Sequence, residues 1–291
     1  HKEGHSFPTR RSSDLRVVAQ KLSEAFHQQV VVDNRAGGGG TIGTRVVAQA
    51  APDGYTLLLG HTGTISINPS LYVHAGLDPR KDFAPVGLIG SMPVVLLANP
   101  SFPARTVGDF IAMAKKDPGK FNLGTSAVGT GGYMCAELFK AESGVDVTLI
   151  PYKGTAPVMN DLLGGHVPMA FGVLPPALGN IQAGKLRAVA VASLKRSSLL
   201  PDTPTFDESG LPGFEGVLHY GVLAPAGTPK DIVDRLNAEL RKMVDTEDVR
   251  KRIHAEGGDP MTSTPAEYAA DIDKEEKKWG GLVKKLGLKV E

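Results

Sequence analysis

The sequence predicts an α/β protein built from two units with a ligand cleft between them. Apolar runs with the length of buried strands alternate along the chain with segments of helical periodicity, as is typical of parallel α/β sheets. Several of these strands are followed by loops rich in Gly, Ser and Thr. Ligands of such sheets bind outside the carboxyl ends of the strands, so these loops are the candidate site.

Residues 30–72 show this order most clearly. Residues 30–32 (Val-Val-Val) are predicted as a strand, residues 37–40 as a glycine loop before a helix, and residues 55–59 as the next strand. A second loop, poor in acids, then begins at His61. This arrangement places a candidate ligand loop directly after the second strand.

The rest of the chain continues the alternation. Further strands are predicted at residues 83–90, 93–98, 121–124, 147–150, 169–173, 188–192 and 217–223. Helices are predicted at residues 15–26, 106–116, 133–142 and 158–163, with two more after Thr228 and Thr264, which read with Thr106 as N-caps. The chain crosses between units near residues 99 and 217, so residues 15–98 with 222–291 are predicted as one domain and residues 99–221 as the other. The apolar stripe of the last helix predicts that it packs onto a domain, whereas residues 274–278 (KEEKK) read as a solvated face.

Composition excludes several classes of protein. The formal net charge of the 291 residues is +1 and no Lys/Arg stripe is present, which argues against a nucleic-acid partner. No apolar run approaches the roughly 20 residues of a membrane span. Cys135 is the only cysteine, so disulfides within the chain and CxxC sites are excluded.

Residues 1–14 differ in character from the rest of the chain. They are polar and aperiodic and lack the apolar stretch of a secretory signal. We interpret them as a non-native or disordered leader.

Two glycine motifs resemble nucleotide sites but lack essential parts. Gly38-x-Gly40-x-x-Gly43 matches the dinucleotide fingerprint, yet the next predicted strand carries no acidic residue for a ribose. Gly124 and Gly129 have P-loop spacing but are followed by Thr-Gly instead of Lys-Ser/Thr. No nucleotide, metal or other cofactor is therefore predicted.

The remaining candidates are hydrogen-bond donors. The loops 61–66, 125–132 and 152–156 present hydroxyls and backbone N–H groups without a placed general base, which suits an anion receptor better than an enzyme. His61 reads either as an exposed loop histidine or as a ligand contact, and Cys135 as a core residue or a thiol with a lowered pKa. An α/β enzyme that binds a nucleotide or acyl substrate in the cleft is the alternative.

Five segments together resemble one known family. These are VVDNRAG at residues 31–37, APDGYTLL at 51–58, NPSLY at 68–72, PYKG at 151–154 and LAPAGTP at 223–229. They resemble the Bug-type (TctC-like) solute-binding proteins of tripartite tricarboxylate transporters. The resemblance implies two doubly wound α/β domains of the type II periplasmic-binding-protein class, which close on a ligand like a Venus flytrap. It also implies a small carboxylate ligand.

The resemblance assigns ligand contacts by position. The implied ligand-binding residues are His61, Thr62, Thr64, Ser66, Ser126, Gly129, Thr130, Gly131, Gly132, Tyr152, Gly154, Thr155, Ala156 and Pro175. The chain departs from the family at Tyr133, where a His is frequent, and at Gly172, where an Asp is frequent, so an unusual ligand is expected.

The resemblance also implies partners and a location. The protein is expected in the periplasm, as a monomer, delivering its ligand to a two-component membrane permease or alternatively to a sensor kinase. The family carries a strand and a Pro/Gly-Gly loop before the arginine that matches Arg16, and these residues have no counterpart here. Weak binding or poor folding is therefore expected of this chain.

Overall fold

The computed structural model describes residues 11–35, 40–72, 76–255 and 257–289, with side chains from residue 17 onward. Most of the predicted leader and most of the glycine loop 37–40, including Gly38, lie outside these ranges. The helices are α1 (Arg11–Phe26), α2 (Thr41–Ala48), a π-helical turn (Gly63–Ile67), α3 (Asn68–Leu71), α4 (Pro79–Asp82), α5 (Val107–Lys116), α6 (Gly131–Ser143), α7 (Thr155–Leu163), α8 (Leu174–Gln182), α9 (Lys230–Val244), α10 (Glu247–Ala255) and α11 (Pro265–Leu286). Residues 11–14 belong to the first helix, and the interpretation of residues 1–14 as a non-native leader stays a prediction.

The strands form two ladders that share one long strand. They are β1 (Leu58–His61), β2 (Phe83–Ala98), β3 (Asn122–Thr125), β4 (Thr148–Pro151), β5 (Met169–Val173), β6 (Arg187–Val191), β7 (Val217–Pro225) and β8 (Asp259–Pro260). Sheet one contains β1, β7, β8 and residues 83–93 of β2, and all its pairs are antiparallel. Sheet two contains residues 94–98 of β2 with β5 and β6, and continues through β3 to β4 by parallel pairs.

Three strand predictions need correction. Residues 83–90 and 93–98 are one continuous strand, because bulges near Gly87 and Gly90 let it bend without ending. Residues 30–32 are not a strand in the described part of the chain, and Val31 is 75% exposed. A β-branched run forms a strand only where a partner supplies the hydrogen bonds. The second predicted strand is present as β1, but it pairs antiparallel with β7.

Two of the three predicted N-caps are confirmed. Thr106 and Thr264 each form a capping box, with Asp109 and Glu267 as the reciprocal partners. Thr228 is not a cap, contrary to the prediction. Its hydroxyl donates to the carbonyl of Pro225 at 2.7 Å, so it closes the preceding turn instead.

The apolar core runs along both faces of the sheets and includes α11. Tyr268, Ile272 and Trp279 of this helix are buried, so the prediction that it packs onto the fold is confirmed. The prediction of a solvated face at residues 274–278 is wrong at one position. Glu275 is only 1% exposed. Its buried carboxylate accepts a hydrogen bond from Trp279 Nε1 at 2.7 Å.

Candidate ligand cleft

Strand register brings the candidate loops of both sheets to one junction. His61, at the end of β1, pairs with Tyr220, which in turn pairs with Gly90 of β2. Val173, at the end of β5, pairs with Val94 of β2. Both strand ends therefore point toward the middle of β2, where sheet one passes into sheet two. The parallel pairing of β3 and β4 with β5 brings their carboxyl ends to the same edge.

Three helices begin at this edge of sheet two. α6 follows β3, α7 follows β4 and α8 follows β5. The first N–H groups of a helix have no partner within the helix, and the helix dipole places partial positive charge there. Pro175 and Pro176 in the first turn of α8 lack an N–H group, so the donors at this edge come chiefly from the α6 and α7 ends.

The entrance to α6 is built from hydroxyls. Thr130 caps the helix by accepting from the N–H of Tyr133, and its Oγ1 lies 2.7 Å from the Oγ of Ser126. Thr125, the last residue of β3, is fully buried, and its hydroxyl has no hydrogen-bond partner in the described residues. A buried hydroxyl without a partner is costly, so Thr125 is available for an added polar group.

Gly131 and Gly132 keep this entrance narrow. A side chain at Gly132 would meet the carbonyl of Phe171 at 3.0 Å, and one at Gly131 would meet Leu218 at 2.5 Å. Gly129 has a φ of +82° and packs against Leu71 in the same way. Loop 125–132 of sheet two therefore touches residues that flank sheet one, as the cleft prediction requires.

The entrance to α7 is held by Tyr152. Its hydroxyl donates to Asp161 at 2.7 Å and its N–H donates to the carbonyl of Thr125 at 2.9 Å. Burial and the nearby Asp161 raise the pKa of Tyr152 to about 12, so the phenol stays neutral. Gly154, with a φ of +137°, and Thr155 start the helix, and Ala156 is exposed.

The entrance to α8 contributes packing to the junction. Pro175 is buried in the first turn of this helix. A side chain on Gly257, which follows α10, would approach the Cγ of Pro175 to 2.8 Å. Pro175 thus contacts the segment leading to β8, and it packs the junction without offering a donor.

The predicted loop 61–66 is a compact turn and not an open loop. The hydroxyl of Thr64 donates to the carbonyl of His61 at 3.0 Å, and the Nδ1 of His61 accepts from the N–H of Gly63 at 3.0 Å. The hydroxyl of Thr62 accepts from the N–H of His219 at 2.8 Å. These side chains use their hydrogen bonds to stabilise the turn. Donors for a ligand would therefore be the backbone N–H groups of the turn.

His219 and Asp271 were not among the residues predicted from the sequence. Nδ1 of His219 lies 2.9 Å from the Asp271 carboxylate, behind the turn that carries Thr62 and Ser66. The two residues are 52 positions apart on β7 and α11. No local sequence motif links the two residues. The alternation of side chains along β7 shows which residues share a face with His219, but not that Asp271 lies beside it.

The junction is equipped for binding and not for acid–base or nucleophilic chemistry. Burial raises the pKa of the Cys135 thiol well above its usual range, which excludes the interpretation as an activated thiol. Burial and Glu137 raise the pKa of Tyr133 to about 12. Across the described residues, no group of three His, Cys, Asp or Glu side chains is arranged to hold a metal ion. Nor is any described helix both long and apolar enough to cross a bilayer.

The chain is similar to known proteins over nearly its whole length. Residues 15–288 match the model of the tripartite tricarboxylate transporter family receptor, TctC. Protein BugT of Bordetella pertussis is 36% identical over 287 residues, which is 98% of this chain and 88% of BugT. A solved structure from R. palustris with adipate has a TM-score of 0.83 at 34% identity, covering 96% of this chain and 94% of the other. MatC from Rhodopseudomonas palustris with bound malate has a TM-score of 0.81 at 32% identity, covering 96% of each chain.

These similarities confirm the predicted two-domain α/β class of fold. They do not test the domain boundaries or the individual contact residues, which stay predictions. With the family model spanning nearly the whole chain, the protein belongs to the tripartite tricarboxylate transporter receptors, which are solute-binding proteins and not enzymes.

Proposed function

We propose that this protein is an extracytoplasmic receptor that binds a small carboxylate in the junction between its two sheets. The observation that carries the proposal is the convergence of the α6, α7 and α8 N-termini at one edge of sheet two, opposite the turn 61–66. Backbone N–H groups and the hydroxyl of Ser126 are the proposed donors, whereas the hydroxyl of Thr130 donates to the carbonyl of Ala127 at 2.7 Å and orders the loop. The loops 61–66, 125–132 and 152–156 contain no Asp or Glu of their own, so they attract an anion and do not repel it.

The available donors suffice for ordinary receptor affinity. A hydrogen bond to a charged group contributes about 1.5–3 kcal/mol, and a helix N-terminus about 0.3–1 kcal/mol. Four such interactions reach the roughly 8 kcal/mol of micromolar binding. No covalent step is needed to explain the arrangement.

Dicarboxylates are the ligand class that we favour. The two similar structures hold adipate and malate, each with two carboxylates. Here one carboxylate would meet the α6 entrance, and the second would meet the turn 61–66 or the α7 entrance. Tyr133 in the first turn of α6 and Gly172 in β5 stand where the resemblance implies a frequent His and Asp, and we propose that they alter which dicarboxylate is preferred.

The partners follow from the family. We propose that the protein acts in the periplasm as a monomer and delivers its ligand to the membrane subunits of a tripartite tricarboxylate transporter. Delivery to a sensor kinase is the alternative. Light scattering of the purified protein with and without ligand tests the monomer, and co-purification with each membrane partner tests the delivery.

A binding panel tests the proposed function. Thermal shift and calorimetry with adipate, malate, tricarboxylates, amino acids and nucleotides, up to about 10 mM so that weak binding is seen, should show a response to carboxylates. A response to nucleotides alone would contradict the proposal and favour the enzyme alternative.

Two Ser→Ala variants, one in the loop before α6 and one at the far end of α6, locate the site. Ser126→Ala removes a hydroxyl at the α6 entrance and should weaken binding about 10-fold. Ser143→Ala removes a buried hydroxyl that donates to Phe139 at the other end of α6, roughly 18 Å away for a helix of 13 residues. It should leave affinity unchanged. Equal losses in both variants would show that helix stability, and not contact with the ligand, is responsible.

A further inference from the structure

His219 connects the proposed ligand turn to the last helix. Its backbone N–H donates to the hydroxyl of Thr62 at 2.8 Å. Its imidazole Nδ1 lies 2.9 Å from the carboxylate of Asp271 on α11. His219 of β7 is therefore hydrogen-bonded through its backbone to the turn 61–66 and through its side chain to α11.

This connection is buried. The side chains of His219 and Asp271 are 10% and 16% exposed, and Thr62 and Ser66 are buried as well. A cavity of about 10 Å³ lies among them, close to the smallest volume that holds one water molecule. The cavity is lined by Thr62, Ile65, Ser66, His219, Tyr268, Asp271 and Ile272. Ser66 thus lines the same cavity as His219 and α11, and its contact with a ligand stays a prediction.

We propose that His219 is a positioning residue for the ligand site, and that its pair with Asp271 holds the turn 61–66 in the arrangement that binds. This inference rests on the proposed function. Breaking the pair leaves Asp271 without its partner and frees β7 and α11 to shift beneath the turn. The turn then loses order and ligand affinity falls.

The charges around the imidazole are mostly acidic. Asp271 and Glu275 lie on α11 and Glu215 precedes β7, whereas the turn offers the uncharged Thr62 and β2 pairs the uncharged Ser91 with His219. Two lysines of α11 pair with these acids: Lys274 Nζ lies 2.9 Å from Glu215, and Lys278 Nζ lies 3.7 Å from Glu275. Burial lowers the pKa of His219, but the three carboxylates together outweigh it and raise the pKa above the ordinary value of 6.5.

The sign of the pH effect follows from that raised pKa. The imidazolium–carboxylate pair is complete below pH 6.5 and loses its charge as the pH rises through the pKa of His219 in the folded protein. A neutral imidazole still donates from Nδ1, so the pair weakens and does not vanish. Ligand affinity should therefore decrease severalfold, and not disappear, as the pH rises.

Three variants separate positioning from general stability. His219→Asn keeps an N–H donor near the position of Nδ1 but does not titrate, and His219→Phe removes the donor. His166→Asn alters an exposed histidine and is the control. Two quantities are measured: hydrogen–deuterium exchange of amides 62–66 without ligand, and the Kd for adipate and malate between about pH 5.5 and 8.5.

Specific results are expected. The Kd of the unmodified chain and of His166→Asn should rise about 3- to 10-fold across this range, and the Kd of His219→Asn should stay level. His219→Phe should speed exchange at 62–66 about 10-fold or more. If His219→Phe does not fold, Asp271→Ala, which removes the acceptor for Nδ1 of His219, breaks the same hydrogen bond and provides the same comparison.

Two results would overturn the inference. One is unchanged exchange at 62–66 when the donor is removed, and the other is an equal pH slope in His219→Asn. Failure of the unmodified chain to bind either dicarboxylate would contradict the proposed function instead. The exchange comparison needs no ligand and would still decide the role of His219.

Discussion

At the scale of single residues, Cys135 shows how position decides chemistry. The residue lies in the second turn of α6, close to a helix N-terminus, where a thiol can become reactive. Its side chain is nevertheless fully buried among Phe and Met residues of the core. Desolvation of the thiolate therefore dominates, and the pKa of the thiol is raised.

We expect native Cys135 to resist alkylation. Because the thiolate is scarce and the sulfur inaccessible, iodoacetamide should label less than about a tenth of the folded protein in an hour at pH 8. In denaturant the same reagent should label one thiol per chain, which serves as the internal control. Rapid labelling of the folded protein would show that α6 opens locally.

A second residue-scale prediction concerns Asn237. Its buried amide donates to the carbonyls of Val86 and Ser263 at 2.7 and 2.8 Å, beside the bulge of β2. Asn237→Ala leaves both acceptors buried and should lower the free energy of unfolding by about 2–4 kcal/mol. Asn160→Ala, at an exposed position on α7, should change it by less than about 0.5 kcal/mol in the same urea titration.

At the scale of elements, local chemistry was predictable wherever it was self-contained. The N-caps at Thr106 and Thr264 depend only on residues within one helical turn, so the sequence predicts them correctly, and the structure adds the reciprocal partners Asp109 and Glu267. The cap at Thr228 was wrong because the hydroxyl found a carbonyl in the preceding turn. The prediction of a strand at residues 30–32 is wrong. A strand needs a neighbouring strand to accept its hydrogen bonds, and the local sequence does not show whether one is present.

The capping box of α11 should be measurable. Thr264→Ala removes the acceptor for the N–H of Glu267 and should cost about 1 kcal/mol. Thr264→Ser keeps the hydroxyl and should cost much less. Similar losses in both variants, measured by urea unfolding, would mean that the methyl group and not the cap is responsible.

Carboxylates in helix caps and ion pairs make the stability of the folded protein depend on pH in the acid range. Hydrogen bonds from backbone N–H groups lower the pKa of Asp109 and Glu267, and Lys21 lowers that of Asp248 to about 2. Their stabilisation is complete above the ordinary carboxyl values of 3.8 and 4.5 and is lost as the pH falls toward 2. Melting temperature should therefore fall steeply below about pH 4, and less steeply in Glu267→Gln.

At the scale of the whole molecule, the site depends on contacts between segments far apart in sequence. The candidate donor loops could be predicted from the sequence because Gly, Ser and Thr residues follow β1, β3 and β4. The pairing of His219 with Asp271 and the packing of Gly129 on Leu71 could not, because each joins elements that meet only when both sheets are in place. Register along β2 brings those elements together.

Gly129 offers a direct test of that junction. Its φ of +82° disfavours any side chain, and a methyl group would also collide with Leu71. Gly144, at the other end of α6, has a φ of +67° with open space around it. Alanine at Gly144 should cost about 1 kcal/mol from backbone strain alone, whereas alanine at Gly129 should cost more and also weaken dicarboxylate binding.

A double-mutant cycle isolates the contact from the strain. Leu71→Ala alone should cost about 2–5 kcal/mol because the side chain is fully buried. In combination with Gly129→Ala the clash is relieved, so the paired loss should fall short of the sum of the single losses by at least about 1 kcal/mol. Gly144→Ala with Leu71→Ala should be additive. Additivity in both pairs would mean that loop 125–132 does not rest on α3, and that the two sides of the proposed cleft are not in contact at Gly129.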